Sequence, residues 1–158
     1  MKARKSMKKR FVSLLVALSI TLTFLPIGAV AAAPIKFTDG NLRYTVNADG
    51  ESVTVSGVSG SPEKLTIDSS IEYNNTIYPV TEIEMWAFYN CKTLTEVTLP
   101  NTVDEIGYQA FFNCSNLTKV TIPEGVTKIG QAAFYGCSQL TSITIPSTIK
   151  NMDTAFPS

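Results

Sequence analysis

Residues 94–116 read LTEVTLPNTVDEIGYQAFFNCSN, and residues 117–139 repeat the pattern as LTKVTIPEGVTKIGQAAFYGCSQ. A further unit begins LTSITIPSTIK at residue 140, and the second half of an earlier one, VTEIEMWAFYNCKT, begins at residue 80. The apolar positions recur every 23 residues, in columns such as Leu94, Leu117 and Leu140 or Phe88, Phe111 and Phe134. A unit of this length cannot bury its apolar side chains alone, so the repeat predicts coils that stack into a solenoid with a continuous core.

The start of each unit predicts a short strand. In the unit that begins at Leu94, Val97 and Leu99 lie two residues apart, so both side chains point to one face of a strand. Pro100 follows directly and ends the strand, because proline cannot donate a hydrogen bond to a sheet ladder. Equivalent strands of successive coils are therefore expected to pair in parallel and to form a sheet on the concave face of the solenoid.

The later part of each unit predicts a turn on the opposite side. Ala110-Phe111 and Ala133-Phe134 are expected to form short helical turns, each with its phenylalanine in the core. Gly107 and Gly130 are expected where the chain turns sharply, since glycine adopts backbone conformations that other residues disfavour. The predicted fold class is α/β: a solenoid with a parallel β-sheet, short helical turns opposite it and an N-terminal β-hairpin cap.

Residues 32–79 are predicted to form this cap and a first partial repeat, ahead of the 23-residue repeats in 80–158. Residues 42–46 alternate apolar and polar side chains, and residues 53–55 are predicted to form the return strand. Asp49-Gly50 between them is a hairpin signal. The triplet LTI that begins at residue 65 is similar to the repeat strand. The asparagine-rich insertion that follows it predicts a protruding loop or a small hairpin.

The first 31 residues have the composition of a secretory signal peptide. Six basic residues precede an apolar run from Phe11 to Leu25, and the small residues Ala29–Ala33 follow. Cleavage is expected after Ala31. The alternative is a membrane anchor, but the apolar run of 15 residues is shorter than the ~20 that a spanning helix requires, and no later segment predicts a span. The protein is therefore expected to be secreted or held at the cell surface.

Charge and composition exclude several classes of function. The chain has 13 basic and 13 acidic residues; signal cleavage removes 6 basic and no acidic ones, which leaves 7 against 13 and a net charge of −6. Such an acidic chain is not expected to bind nucleic acid or anionic lipid. The absence of histidine removes Ser-His-Asp and Cys-His nucleophiles and H-E-x-x-H zinc sites. We predict no enzymatic activity, cofactor or metal; a carboxylate enzyme built on Asp104-Glu105 or on Glu82 and Glu84 is a remote alternative.

The repeat resembles that of the bacterial BspA-like, or Treponema-type, leucine-rich-repeat proteins, whose unit reads L-x-x-V-x-(L/I)-P-x-x-V-x-x-I-G-x-x-A-F-x-x-C. Residues 94–139 match this pattern almost throughout, and Tyr78–Ile83 (YPVTEI) resembles the entry to the first full repeat. Glu84, in place of the usual glycine, and a last unit that is one residue shorter depart from it. The resemblance implies a leucine-rich-repeat solenoid at the bacterial surface, with an adhesive role.

One candidate binding surface is the outward face of the strands, which presents one threonine per coil. We call it the threonine face; its members are Thr66, Thr98, Thr121 and Thr144. Extended surfaces of this kind bind partners in solenoid proteins. The structural alternative is that threonine is simply a favourable strand residue, flanked by a charge ladder of little energetic value. The flanking residues are Lys64, Glu96, Lys119 and Ser142.

A second candidate surface is the aromatic column, which consists of Tyr89, Phe112 and Tyr135, with Trp86 and Tyr108 nearby. Each member of the column follows a core phenylalanine and is therefore expected to point partly away from the interior. Exposed aromatic stripes mark contacts with proteins or glycans; packing between neighbouring coils is the alternative. The predicted partner is an extracellular protein or glycan.

Cysteine occupies one position of the repeat, at residues 91, 114 and 137. Adjacent coils stack about 4.8 Å apart, which brings one pair near bridging distance. A parallel ladder, however, does not aim the β-carbons at each other as a disulfide requires. Free buried thiols that serve as small apolar side chains are the preferred interpretation, and a disulfide is the alternative. No metal site is expected without histidine or a C-x-x-C pair.

The last unit is shortened at Met152–Phe156 and lacks the polar cap of a solenoid end. We expect the sequence to be a piece of a longer protein; an improvised cap and a covering partner are the alternatives. The predicted function is an exported binding module that mediates protein–protein or cell-surface adhesion. The alternative is a structural spacer, or an N-terminal display domain of a longer surface protein.

Overall fold

Strands joined by turns make up the regular structure of the residues described. The computed structural model describes residues 33–141, 143–150, 152 and 154–156, so the predicted signal peptide lies outside it. Over those residues we find no helix that could cross a bilayer. The strands are β1 (Lys36–Asp39), β2 (Leu42–Val46), β3 (Val53–Val58), β4 (Lys64–Thr66), β5 (Ser70–Tyr73), β6 (Thr76–Ile83), β7 (Glu96–Thr98), β8 (Glu105–Ile106), β9 (Lys119–Thr121) and β10 (Lys128–Ile129).

Two parallel ladders run along the stacked coils. The first, β4-β7-β9, is the predicted one, and it aligns Leu65, Val97 and Val120 as direct partners. The second, β6-β8-β10, contributes a shorter strand from each coil and aligns the column Ile83, Ile106 and Ile129. The sequence analysis missed it because strands of two residues, such as β8, are too short to show an apolar and polar alternation.

The N-terminal cap continues the second ladder. β1, β2 and β3 are antiparallel, and β3 then pairs in parallel with β6, which gives the sheet order β1-β2-β3-β6-β8-β10. The predicted hairpin is therefore present. The Asp49 carboxylate closes its turn by accepting hydrogen bonds from the backbone N–H groups of Glu51 (2.8 Å) and Ser52 (3.1 Å). The cap thus presents a paired strand to the first coil and covers the end of its ladder.

The inserted segment forms a small hairpin, one of the two forms predicted for it. β5 pairs antiparallel with β6 around Asn74-Asn75, whose φ angles of 49° and 63° lie in the left-handed region that asparagine tolerates. The hairpin packs on the cap, because the Tyr73 ring stacks on Phe37 with 4.2 Å between ring centroids.

The predicted short helical turns are not found in the described residues; their place is taken by non-helical turns. In the first coil, Trp86 and Asn90 have positive φ angles of 59° and 60°, which interrupt helical geometry on both sides of Phe88. Within the turn, the Tyr89 amide bonds its own coil at the Trp86 oxygen (3.0 Å), whereas the Phe88 amide bonds the next coil at the Ala110 oxygen (2.8 Å). The turns therefore form a ladder of their own between coils.

Stacked phenylalanines form the centre of the core, as the repeat columns predict. Phe88, Phe111 and Phe134 are fully buried, and their parallel rings lie 4.8 and 5.2 Å apart. Phe156 of the last unit continues the stack 5.2 Å beyond Phe134. Aliphatic columns surround it; the fully buried members include Leu94, Leu117, Val97, Val103 and Val126.

Gly107 and Gly130 have a role that differs from the predicted one. Neither has a positive φ, so a sharp turn is not what requires glycine there. A β-carbon on Gly130 would lie 2.6 Å from the Tyr108 backbone nitrogen in the preceding coil. Glycine at this column is needed because the backbones of neighbouring coils approach too closely for a side chain.

The described residues of the last unit contain no strand. Thr144 is exposed in an irregular segment, so it does not extend the predicted strand face. On the turn side the unit remains bonded to its neighbour, because the amide of Phe134 donates to the Ala155 oxygen (2.9 Å) and that of Lys150 to the Thr127 oxygen (2.8 Å). The final coil thus follows its neighbour along the turns and not along the first ladder.

Candidate functional site

The threonine face is assembled on the first ladder by three of its four members. Thr66, Thr98 and Thr121 are aligned as direct partners on β4, β7 and β9. Thr66 and Thr121 are exposed, and Thr98 is half-buried. The regular array therefore has three hydroxyl groups, while Thr144 lies apart from the strands.

The charges beside these threonines satisfy one another. The Glu96 carboxylate lies between two lysines, 2.7 Å from Lys119 Nζ and 3.3 Å from Lys64 Nζ. The hydrogen bond from Lys119 and then that from Lys64 hold the pKa of Glu96 below its usual value. Paired surface charges contribute little to stability and are already engaged with each other, which favours the structural interpretation of this face.

The aromatic column is a continuous stack on the turns of successive coils. The Tyr89 and Phe112 rings are 5.3 Å apart at an interplanar angle of 4°, and Phe112 and Tyr135 are 5.4 Å apart at 17°. Tyr89 and Tyr135 nevertheless remain 51% and 52% exposed. The ring faces pack between coils, while the outer edges are exposed to solvent. Packing between coils and an exposed contact surface are therefore compatible, because they involve different parts of the same side chains.

Three further residues enlarge this exposed surface on the same turns. Trp86 is 53% exposed, and its ring meets Tyr108 edge-on at 6.2 Å. Its indole Nε1 donates to Gln109 Oε1 (2.9 Å), which fixes the ring. Met85 beside it is half-exposed, a contributor that the sequence analysis missed. We call the whole surface the aromatic face: Met85, Trp86, Tyr89, Tyr108, Phe112 and Tyr135.

The three thiols are free, as preferred in the sequence analysis, but only two of them are buried. The Cys114 and Cys137 thiols donate to the carbonyl oxygens of Phe88 (3.0 Å) and Phe111 (3.2 Å). The neighbouring thiols of Cys137 and Cys91, followed by burial, raise the pKa of Cys114 far above its usual value. Cys91, at the end of the ladder, is half-buried, and the neighbouring Cys114 thiol lowers its pKa. Among the described residues, no cluster of carboxylates and thiols could hold a metal ion.

Three carboxylates meet on the second ladder, beside the aromatic face. Glu82 and Glu105 are direct partners on β6 and β8, and the Glu105 carboxylate lies 2.6 Å from Lys128 Nζ. With Glu84, Met85 and Tyr108 they line an open cleft of about 440 Å³. Burial and then the charge of Glu105 raise the pKa of Glu82. The three carboxylates are half-buried.

A second cleft, of about 530 Å³, lies where the cap meets the first coil. We call it the cap cleft; Lys36, Arg43, Tyr44, Glu84, Met85 and Trp86 line it. The sequence analysis missed it because Arg43 and Trp86 are far apart in the chain and belong to different substructures. The one sequence signal for this cleft is Glu84, which occupies the repeat position that holds glycine in the next two coils, at Gly107 and Gly130.

Comparisons with known proteins agree with this architecture. The BspA-type leucine-rich-repeat region matches residues 64–156, in six copies. A leucine-rich cell surface protein from Faecalibacterium prausnitzii is 39% identical to this chain, with a TM-score of 0.68 over 75% of this chain and 32% of that one. A leucine-rich-repeat protein from Bacteroides ovatus is 34% identical, with a TM-score of 0.71 over 76% and 32% of the two chains. A leucine-rich-repeat protein from T. pallidum is 29% identical, with a TM-score of 0.65 over 69% of this chain and 49% of that one.

The chain spans between about a third and a half of the length of these relatives. No curated protein matches it at a significant level. The matched region includes both parallel ladders and the turns that carry the aromatic face.

Proposed function

Since the chain belongs to the family of BspA-type leucine-rich-repeat proteins, we propose that it is an exported binding module that acts at the bacterial surface. Proteins of this family are typically surface-associated and bind other proteins, and the relative from F. prausnitzii is itself a leucine-rich cell surface protein. The signal-peptide pattern of residues 1–31 supports export. Adhesion through an extracellular protein is the specific role that we propose.

The observation that carries this proposal is the aromatic face. Large apolar side chains stay half-exposed at the same position of successive coils. Such a contiguous patch is typical of a contact surface, whereas isolated exposed apolar residues are common on any protein. Stacking between Tyr89, Phe112 and Tyr135 already restricts their rotamers. Binding therefore has a smaller entropic cost than it would have for freely rotating side chains.

The threonine face is the weaker candidate for the contact. Its hydroxyl groups are small, and Lys64, Glu96 and Lys119 beside them are engaged in ion pairs. A partner that binds there would have to break these ion pairs or contact them while they remain paired. The aromatic face offers more apolar area and no charge that must lose its partner, and interface hot spots are enriched in tryptophan and tyrosine.

The proposal is tested by binding of the purified chain to immobilised extracellular-matrix proteins and bacterial surface proteins. A triple variant, Tyr89→Ala, Phe112→Ala and Tyr135→Ala, should lose at least about tenfold in affinity for any ligand found. The matched control changes Thr66, Thr98 and Thr121 to alanine and should bind as the parent does. Circular dichroism establishes that both variants are folded. Binding lost only by the threonine variant would place the contact on the strands and refute the aromatic assignment.

A structural spacer is the second candidate function. It is favoured by the uninterrupted ladders and by the fact that the chain spans only about a third of its F. prausnitzii relative. A spacer predicts no saturable binding by the folded chain to any protein of the panel, and it predicts that extra coils can be inserted without loss of surface display. Saturable binding that the triple variant loses would exclude it as the sole function.

A further inference from the structure

The cap cleft contains a local concentration of positive charge in an acidic protein. Three lysines of the described residues form salt bridges: Lys64, Lys119 and Lys128. Lys36 and Arg43 both line the cap cleft, and neither has a carboxylate of the described residues within salt-bridge distance. Two cations that share one cleft in this way form a binding surface for an anion, and a guanidinium can pair with a carboxylate through two parallel hydrogen bonds.

The backbone around Arg43 is shaped to accommodate its side chain. The pairing of β2 with β3 shifts register between Arg43 and Tyr44, and such irregularities can re-aim a side chain. The guanidinium then lies over Gly57, where a β-carbon would collide with it. The guanidinium therefore lies at the cleft against the backbone of Gly57.

The opposite wall of the cleft comes from the first coil and has a different chemistry. Trp86 and Met85 are 53% and 50% exposed, and the hydrogen bond to Gln109 holds the indole in place. Glu84 occupies the glycine column here because the cap cleft, and not another coil, lies beside it. Its carboxylate can accept hydrogen bonds from hydroxyl groups.

We propose that the cap cleft binds a carboxylated sugar residue of a glycan. The carboxylate accepts hydrogen bonds from Arg43 and Lys36, the apolar face of the ring packs on Trp86, and ring hydroxyls donate to Glu84. The volume of about 530 Å³ is in the range of small-molecule sites. An acidic peptide would also use the two cations, but it would leave the indole without a ring to pack on.

The single tryptophan of the chain makes the test direct, because Trp86 itself lines the cleft. Trigalacturonic acid and 3′-sialyllactose are titrated into the full chain while tryptophan fluorescence is recorded. A saturable change is expected with at least one of them. The methyl ester of the same galacturonic acid oligomer keeps the rings and the hydroxyls but has no carboxylates, and it should bind at least about tenfold more weakly.

Variants locate the site. Arg43→Gln and Lys36→Gln should each weaken binding, Arg43→Gln by about tenfold, and both residues are exposed, so the fold should be kept. Lys150→Gln, which removes the same charge in the last unit, should bind as the parent does. Trp86→Ala, followed by calorimetry, tests the ring platform; Ala132 occupies the equivalent left-handed position in a later coil, so alanine is tolerated there.

Several outcomes would overturn the proposal. These are no saturable binding of either acidic sugar at millimolar concentration, equal binding of the methyl ester, and an unchanged affinity of Arg43→Gln. Tighter binding of hexaglutamate than of both sugars would show that the cleft takes an acidic peptide. Met85 and Trp86 belong to both the cap cleft and the aromatic face, but the two roles are tested apart, since the variant of Tyr89, Phe112 and Tyr135 should keep the sugar affinity of the parent. A failure of either one is therefore recognised separately.

Discussion

Gly107 lies so close to the preceding coil that a β-carbon on it would be 2.6 Å from the backbone nitrogen of Met85. The same relationship recurs between Gly130 and Tyr108, one coil further along. At both places the Gly amide also donates to the preceding coil, with Gly107 bound to the Ile83 oxygen at 2.8 Å. The glycine column thus sets how closely the coils stack at the start of each turn.

Replacement of this glycine should separate two coils. Gly107→Ala is expected to lower the free energy of unfolding by about 2 to 3 kcal/mol, because its β-carbon meets backbone atoms that cannot rotate away. Denaturant unfolding followed by circular dichroism measures the change. Gly60→Ala is the control: this glycine has φ +71° but no atom near its β-carbon position, so only the conformational cost of about 1 kcal/mol applies. Equal losses in the two variants would refute the steric argument.

Adjacent phenylalanines of one coil should differ sharply in their contribution to stability. Phe111 is fully buried between the rings of Phe88 and Phe134, and Phe111→Ala is expected to cost about 3 to 5 kcal/mol through lost contacts and a cavity. Phe112 is half-buried, so Phe112→Ala should cost less than about 2 kcal/mol. Unfolding curves recorded on both variants settle the order, and the reverse order would contradict the assignment of core and surface.

The cysteine ladder predicts a graded reactivity of the thiols. In the folded chain a disulfide reagent such as DTNB should modify Cys91 first, because it is half-buried and its pKa is lowered by the neighbouring Cys114 thiol and the nearby charge of Arg43. Cys114 and Cys137 should react only after unfolding in denaturant, which exposes all 3 thiols. Cys91→Ser should abolish the fast reaction. Equal rates for all thiols in the native chain would be inconsistent with the observed burial.

The carboxylate of Glu82 should make stability depend on pH. Its pKa is raised in the fold, first by burial and then by the charge of Glu105, so the folded state holds this proton more tightly than the unfolded chain does. Stability is therefore lost as the pH rises from the usual value of 4.5 through the raised pKa. Glu82→Gln should be more stable than the parent at neutral pH and should lose this advantage at acidic pH.

Thermal unfolding at several pH values, with Glu63→Gln as a control for the removal of an exposed charge, measures this effect. A Glu82→Gln variant that is less stable than the parent at neutral pH would show that the hydrogen bond from Thr54 Oγ1, at 3.3 Å, outweighs the repulsion.

The features predicted from the sequence are those that depend on the period. The columns that contain Phe111 and Val97 are buried as expected, since only stacking explains an apolar residue at every twenty-third position. The first ladder and the free thiols were also predicted from the repeat, and the cap hairpin was predicted from its turn residues and the alternation of its strands. The family resemblance drawn from residues 94–139 is confirmed by the repeat match.

The features that were missed depend on backbone geometry and on contacts between distant segments. The sequence around Ala110-Phe111 is compatible with a helical turn, and only the positive φ angles of Gln109 (52°) and Asn113 (58°) exclude one. The cap cleft needs Arg43 and Trp86 to meet through the pairing of β3 with β6, a parallel contact with no periodic signal. The binding role of the aromatic face, with Trp86 and Tyr135 among its members, stays a prediction.

Where the structure shows a hydrogen bond between two side chains of neighbouring repeat coils, the residues are 23 positions apart, as in Trp86–Gln109, Glu96–Lys119 and Glu105–Lys128. A gene for such a protein can gain or lose whole multiples of 23 codons and keep the columns of the repeat in register, although the side chains that meet at the junction change, as Ala132 in the column of Trp86 and Gln109 shows. A length change that is not a multiple of 23 residues would shift the columns of one coil against those of its neighbours. The gain or loss of whole units therefore changes the reach of the array while its core columns stay aligned.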